Sequence, residues 1–489
     1  MVCQPAPREG QAGPDGTSDE PIVPSKPGNS GGGKGPEFKA NAGRSESQGI
    51  GMSLSTPDKV RKLQAALHAK AKGSPDFRFY ALYDKVYRAD ILEFAYRCCR
   101  SNGGAAGVDG QTFDDIEAYG VDRWLGELTE ALQGKTYTPQ PIRRQYIPKP
   151  DGSQRPLGIP TIRDRVVQTA VHLVIEPIFE ADLQDEQYAY RPERTAHDAI
   201  NAVHRLLVTG HDEVVDADLS GYFDTIPHAD LMKSVARRIS DRHLLRLIKM
   251  WLVAPVEELD GKGRVQRTTR AKDTKRGTPQ GAPLSPLLAN LYMRRFVVAW
   301  KQRFEVLLDA HIVNYADDFV ICCRRTGRQA YAAMTQLIGR LKLTVNETKT
   351  QLRHVPAESV DFLGYTLGLC YSQRRGRMQI GSRPSRKAQA RVRRKISELT
   401  SRRWTWRSVE DEVAALNRAL RGWANYFRLG RVRPAYVAVD RHANKRLRQW
   451  LRRKHDSAGT GISRYPDQHL YERLGLVRLS TWMRRLPWA

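Results

Sequence analysis

An acidic pair interrupts an apolar, β-prone run: His311-Ile312-Val313-Asn314-Tyr315-Ala316-Asp317-Asp318-Phe319-Val320-Ile321-Cys322-Cys323. The β-branched and aromatic residues on either side read as two strands, with the acids at the tight turn between them. In one straight strand, adjacent carboxylates point to opposite faces. At a hairpin turn they lie together at the rim of a sheet. Two like charges held there repel and favour neutralisation by a divalent cation, and hard carboxylate oxygens suit magnesium. An acidic turn that merely joins two strands has the same local sequence, so the rest of the chain decides between the two.

Nucleotidyl transfer at two metal ions needs more than one such pair. It needs a second acidic strand beside the first and a basic group over the phosphates. The segment Val214-Val215-Asp216-Ala217-Asp218-Leu219-Ser220-Gly221-Tyr222-Phe223-Asp224 supplies the strand. Asp216 and Asp218 share one face by the period-two rule. Asp218 is the better ligand because it lies nearer the turn at Gly221. Asp216 reads equally as a solvated strand charge, and Asp224 as a cap on the next segment.

Charge separates the two ends of the chain. Lys and Arg total 80 against 53 Asp and Glu, a net of +27 over 489 residues. Residues 371–489 hold 30 Lys/Arg and 8 Asp/Glu, and six of the nine Trp. A basic, Trp-bearing C-terminal region points to a long polyanion, most plausibly nucleic acid. Six cysteines without a Cys-x-x-Cys pair exclude the usual zinc signature. The vicinal pairs Cys98-Cys99 and Cys322-Cys323 read as buried thiols of a reducing compartment. With no apolar leader and no membrane span expected, a cytoplasmic protein is the simplest reading.

The chain divides into five segments. Residues 1–50, rich in Gly, Pro and Ser, read as a disordered tail. Residues 51–138 read as a helical N-terminal extension, 139–370 as strand-rich with interspersed helices, 371–455 as helical and basic, and 456–489 as a short basic tail suited to DNA. Gly103 to Gly110 is a glycine-rich loop but not a Walker loop. A hairpin is expected around Pro150-Asp151-Gly152, flanked by Lys149 and Arg155. Short strands are expected at Asp361–Leu367 and Met378–Ile380.

At this point the chain resembles a known family. Tyr315-Ala316-Asp317-Asp318 and the Asp218-to-Asp224 segment resemble the palm motifs of reverse transcriptases. The order of further blocks is similar to that of group II intron-encoded reverse transcriptase/maturases. These are Gly107-Val108-Asp109-Gly110, Ile147-to-Gly152 with Arg155-to-Ile159, Tyr190-Arg191-Pro192, and Gly277-Thr278-Pro279-Gln280-Gly281. Leu343-to-Asn346 with Lys349-Thr350, Phe362-Leu363-Gly364-Tyr365 and Arg421-to-Phe427 follow. The likeness runs in order over roughly residues 80 to 455.

The resemblance implies an α+β right-hand polymerase: fingers and palm built on an antiparallel sheet with helices, then a helical thumb/maturase domain. It makes Asp218, Asp317 and Asp318 catalytic ligands of two Mg2+ ions, with Leu219 as a further metal ligand. Lys149 and Arg155 would clamp the incoming dNTP, and Arg suits phosphate through its bidentate fork. Phe223 would exclude a 2′-hydroxyl, and Gln280 would touch nucleotide or template. Lys349 matches a proton donor to pyrophosphate, although a structural cap reads equally well there. Phe362 to Tyr365 would support the primer end. Arg386, Lys387, Arg391, Arg394, Lys395 and Arg446 are expected to bind RNA, with Trp404 and Trp406 available for stacking. Trp423, Tyr426 and Phe427, spaced on one helical face, read as thumb core.

The implied activity is RNA-directed DNA synthesis from a DNA primer on an RNA template, with binding of intron RNA for splicing and contact with target DNA for mobility. The absence of Cys after residue 455 suggests the endonuclease-lacking type. Two other readings stay open: a splicing cofactor whose polymerase core is only a scaffold, and a related polymerase recruited to CRISPR or defence.

Overall fold

The computed structural model describes residues 54–148, 154–259, 264–372, 375–456, 459 and 461–482. The expected tail at 1–50, the turn Pro150-Asp151-Gly152 and Lys149 lie outside them. The longer helices are α1 (Asp58–Gly73), α2 (Ala89–Asn102), α3 (Val121–Gln133), α4 (Ile162–Glu180), α5 (Ala196–Val208), α6 (His228–Ala236), α7 (Arg242–Leu252), α8 (Ser285–Trp300), α9 (Gly327–Arg340), α10 (Arg386–Leu399), α11 (Val409–Tyr426) and α12 (Arg433–Lys454).

The strands form three sheets. The first has the order β2 (Gln154–Ile159), β1 (Ile142–Pro148), β4 (Val256–Leu259), β5 (Val265–Thr268). The second, central sheet has the order β6 (Ala310–Tyr315), β7 (Asp318–Cys323), β3 (Glu213–Asp218), β8 (Gln351–His354), all antiparallel. The third joins β9 (Val360–Phe362), β10 (Tyr365–Ser372) and β11 (Arg377–Pro384). This is the α+β architecture expected, with β10 and β11 longer than the sequence suggested.

Helix starts follow from local chemistry. Thr195 and Asp198 form a reciprocal capping box at α5. Thr161, Ser385 and Ser408 each accept a backbone N–H at the starts of α4, α10 and α11. Helix α4 is buried on nearly every side because other elements pack all around it.

The alternation of β3, β6 and β7 divides two cores. Val215, Ala217, Ile312, Phe319 and Ile321 face the large core, which also holds Trp300 and α4. Val214, Val313, Val320 and Cys322 face a second core shared with Phe362, Tyr365 and Phe427. The vicinal Cys322 and Cys323 therefore point to opposite faces, and burial pushes the Cys323 thiol up to about 12.

Packing crosses three of the expected divisions. Residues 51–138 have no core of their own: Val60, Leu92, Phe94 and Leu128 join the same core as α4. The buried Arg238 guanidinium donates to the carbonyls of Ser74 and Ala71, 3.0 and 2.5 Å away, tying the α1 end to the palm. The division at 370 falls inside β10, whose pairing with β11 runs from Tyr365↔Pro384 to Ser372↔Arg377. Residues 461–482, within the expected basic tail, are docked on the thumb. Leu470, Leu476 and Leu479 are buried against α11 and α12, and the Asp440 carboxylate accepts the N–H groups of Leu479 and Ser480. Its apolar residues are spaced to cover the thumb core, which a charge count overlooks.

Candidate active site and nucleic-acid surface

The hairpin between β6 and β7 closes at Tyr315↔Asp318, leaving Ala316 and Asp317 as its two-residue turn. Ala316 has φ 59°, whereas Asp317 is not left-handed. A positive φ at only the first central residue fits a type II′ turn, where glycine is usual. An alanine there stores about 1 kcal/mol of backbone strain. The buried Asn314 amide steadies the turn, its Nδ2 donating to the Ala316 carbonyl at 2.9 Å. Asn314 is itself pinned, its N–H on the Glu186 carbonyl and its carbonyl taking the Tyr188 N–H. In the sequence Asn314 belongs to no functional motif, and its one signal is a lone amide in an apolar strand just before the turn.

Asp218 pairs directly with Asp318 across β3 and β7. Both lie on the sheet face that carries Val214 and Val320, with Asp317 at the adjoining tip. The three carboxylates the sequence singled out are thus brought to one edge of the sheet, half-buried. Asn346 Nδ2 donates to Asp218 Oδ2 at 3.1 Å and Thr350 Oγ1 accepts the Asp218 N–H at 3.2 Å. Lys349 Nζ stands 3.6 Å from the same Oδ2, an exposed ion pair of small energetic worth. Leu219 forms a bridge with Val345, and its side chain is buried in the large core. Only its main-chain carbonyl can offer an oxygen.

These donors fit a divalent cation. Carboxylate and carbonyl oxygens are hard ligands, and adjacent acids repel without a positive charge between them. Asp216 differs from the solvated charge considered for it: burial pushes its carboxyl up to about 6, Arg353 opposing and Asp361 and Asp218 adding. It belongs to the wall behind the site.

Phe223 packs at the edge of the large core, its ring 5.7 Å from that of Tyr222. Asp224 does not cap a helix; Pro227 occupies that position at α6, and Asp224 Oδ2 accepts from Gln280 Nε2 at 2.9 Å. Gln280 is therefore tied to the Phe223 segment, as is Thr278, whose N–H bonds the Phe223 carbonyl. The Gln280 carbonyl takes the Gly158 N–H at 2.7 Å. A Cβ on Gly281 would sit 2.4 Å from the Gly158 carbonyl oxygen, so only glycine lets the two backbones approach. Arg155, opposite Ile147 in β2, is on the hairpin so attached.

Phe362 to Tyr365 is a turn between β9 and β10, with Leu363 and Gly364 left-handed. It meets the thumb: Tyr426 Oη donates to the Leu363 carbonyl and Tyr365 Oη to the Tyr426 carbonyl. Phe427 is buried there and Trp423 packs against it at 5.0 Å, in keeping with a core role.

On the thumb, Arg386, Lys387, Arg394 and Lys395 are exposed along α10. Arg391 is half-buried beside Tyr426, and burial lowers its pKa. Arg446 is spent internally: it donates to Thr400 Oγ1 and to the Ser397 and Thr400 carbonyls at 3.0–3.1 Å, closing the α10 C-terminus. That removes it from the surface expected for RNA. Trp406 is 73% exposed, 6.1 Å from Trp404, and the Arg407 guanidinium lies 3.8 Å over the Trp404 ring.

Known proteins are similar to this chain in sequence. The model for "Reverse transcriptase (RNA-dependent DNA polymerase)" matches residues 147–367. That for "Group II intron, maturase-specific domain" matches 389–465. The protein YkfC of Escherichia coli K12 is 33% identical over 386 residues, covering 71% of this chain and 97% of that protein. Group II intron-encoded protein LtrA of Lactococcus lactis subsp. cremoris is 29% identical over 352 residues, covering 59% of this chain and 57% of LtrA. An uncharacterized 91 kDa protein in a cob intron of Schizosaccharomyces pombe is 24% identical over 415 residues, covering 70% of this chain and 50% of that protein. A solved Cas6-RT-Cas1–Cas2 complex aligns at TM-score 0.32 and 22% identity, over 53% of this chain and 42% of that one, too slight a likeness to bear on function.

A reverse transcriptase domain is thus followed by a maturase-specific one. The chain belongs to the reverse transcriptase/maturase family of group II intron-encoded proteins. Its enzyme class is RNA-directed DNA polymerase, and the family uses divalent metal ions.

Proposed function

We propose that this chain copies RNA into DNA with Mg2+ at two positions, and that it binds a group II intron RNA both to aid splicing and to insert the copied intron into target DNA. The observation that carries the reading is the Asp218–Asp318 pairing with Asp317 at the adjoining turn. Bound magnesium would supply charge neutralisation at the attacking hydroxyl and the leaving pyrophosphate. Asp218, Asp317 and Asp318, with the Leu219 carbonyl, would hold it.

The remaining work falls to the chain itself. Asn346 fixes the Asp218 carboxylate so that its geometry is set before substrate arrives. The Gly158–Gln280 contact couples the Arg155 hairpin to the Phe223 segment, so the arm that would grip a dNTP triphosphate is fixed to the wall that would sense its sugar. Lys149 would add a second phosphate-binding cation there. Lys349, 3.6 Å from Asp218, would deliver a proton to pyrophosphate. Arg386, Lys387, Arg394 and Lys395 would track RNA phosphates, and Trp406 would stack on an unpaired base. A cytoplasmic location accords with this work, and no described helix is long and apolar enough to cross a membrane.

The test is extension of a DNA primer on an RNA template by the purified chain, beside splicing of its intron RNA. Extension that needs Mg2+, prefers dNTPs and stops with chelator is expected. Splicing support without any extension would instead favour a scaffold.

A further inference from the structure

Two histidines and an aspartate meet at the end of the central sheet away from the catalytic turn. His211 Nε2 lies 3.1 Å from Asp309 Oδ1, and His311 Nε2 lies 3.6 Å from the same oxygen. The three ligand atoms fall within 4.8 Å of one another. His311 opens the run that carries the acidic turn, but neither the Tyr315-to-Asp318 box nor the family blocks include any of the three.

Hydrogen bonding decides which ring nitrogens face inward. His311 Nδ1 meets the Glu305 carboxylate at 2.9 Å; an ionised carboxylate only accepts, so Nδ1 carries the proton. His211 Nδ1 meets Thr209 Oγ1 at 3.1 Å. That hydroxyl directs its own proton at the Leu206 carbonyl, 2.9 Å away, so it accepts from Nδ1–H. With both protons on Nδ1, two Nε2 lone pairs converge on a carboxylate oxygen. Asp309, as an ionised carboxylate, is likewise only an acceptor. Three acceptors gathered without a hydrogen among them call for a cation. Arg324 Nε, 3.6 Å away, engages the other oxygen, Oδ2, and leaves Oδ1 to the imidazoles.

We propose that His211, Asp309 and His311 form a binding site for a transition-metal dication, zinc by preference, that braces the far end of the palm sheet. Two imidazoles and a carboxylate suit zinc over magnesium. Tetrahedral Zn–N and Zn–O bonds of about 2.0–2.1 Å place ligand atoms about 3.3 Å apart, close to the two separations seen. Glu305 and Thr209 orient the rings from behind, as outer partners of zinc-bound histidines do. The Asp309 and His311 side chains are 49% and 35% exposed, so solvent reaches the cluster to fill a remaining coordination position. His211 leads into β3 and His311 lies in β6, while β7 runs between them. A metal there would join the strands flanking the Asp318 strand. Four strand steps carry His311 to Tyr315 at the catalytic turn, about 13 Å at the usual rise, so this ion would take no part in nucleotide chemistry.

The test is a Co2+ titration of the metal-stripped full-length protein followed by visible absorption, with Zn2+ competition and metal analysis. The expected result is one equivalent of cobalt with intense tetrahedral bands that Zn2+ abolishes and excess Mg2+ does not. Affinity should fall at least tenfold in His311→Gln, by about 10–100-fold in Glu305→Gln, and remain unchanged in Asp218→Asn. Wild-type protein that yields no tetrahedral spectrum overturns the proposal without recourse to variants. So does zinc retained at full affinity by a folded His211→Gln/His311→Gln variant.

Discussion

The palm turn and the thumb helices are both marked in the sequence by charge, yet they use it differently. At the turn, a few acids sit where two strands force them together: Asp218 opposite Asp318, Asp317 beside them. Along α10 and α12 the bases are many, and part of them hold the thumb together. Arg446 closes α10, Arg448 donates to the Tyr465 carbonyl, and Lys454 to the Thr405 and Arg407 carbonyls. A strand's period of two fixes which side chains share a face. A helix turns its residues through every direction, so one basic run supplies both surface and clamps. Net charge therefore overstates the area open to RNA.

The contrast can be broken from either side. If the palm residues are positioned for substrate, Phe223→Ala should relax discrimination against ribonucleotides about 10–100-fold, measured as the ratio of incorporation efficiencies for dNTP and rNTP. Unchanged discrimination would reduce Phe223 to packing. In the thumb, Arg446→Ala should cost about 2–3 kcal/mol of stability in denaturant unfolding. It should leave the salt dependence of RNA binding unaltered. Lys387→Ala should do the reverse, changing stability by no more than about 0.5 kcal/mol. It should lower the log–log salt slope by about 0.7 for a single-stranded site. Equal behaviour of the two variants would dissolve the distinction between clamp and surface.

A smaller effect separates the turn acids from an acid buried for packing alone. Burial pushes Glu176 on α4 up to about 8, with His172 nearby lowered to about 4 by its own burial. A carboxyl raised in the folded state contributes stability fully below its ordinary pKa of 4.5 and loses it as pH rises through 8. Glu176→Gln should match the parent at pH 4 and exceed it by on the order of 2 kcal/mol at pH 8.5, read by urea unfolding. A parent whose stability rises over that range would refute the burial account.

The polymerase fold was legible because its motifs carry their own geometry. A hairpin around Asp317, a parallel-faced Asp218 strand and the close glycine contact at Gly281 each follow from local residue types. What escaped was tertiary. Asn346 and Thr350, quoted only as part of a block, turn out to grip Asp218 from β8's approach. Arg238 belongs to no motif, and its full burial follows only from the packing of α1 against the palm. His211 and His311 stand far apart in sequence, and only the β3–β7–β6 register brings them together. The docking of Leu470, Leu476 and Leu479 within the basic tail was hidden for the same reason: no local signal says which core an apolar residue will join.

The claim on which the rest depends is that Asp317 serves chemistry and not RNA binding. Single-turnover primer extension and intron RNA affinity should be measured on the same preparation of Asp317→Ala. The account predicts that extension falls by on the order of 10³-fold or more while RNA affinity stays within about twofold, since the turn lies on the palm and the exposed bases on the thumb. Extension near the parental rate, or a parallel loss of RNA binding, would contradict it.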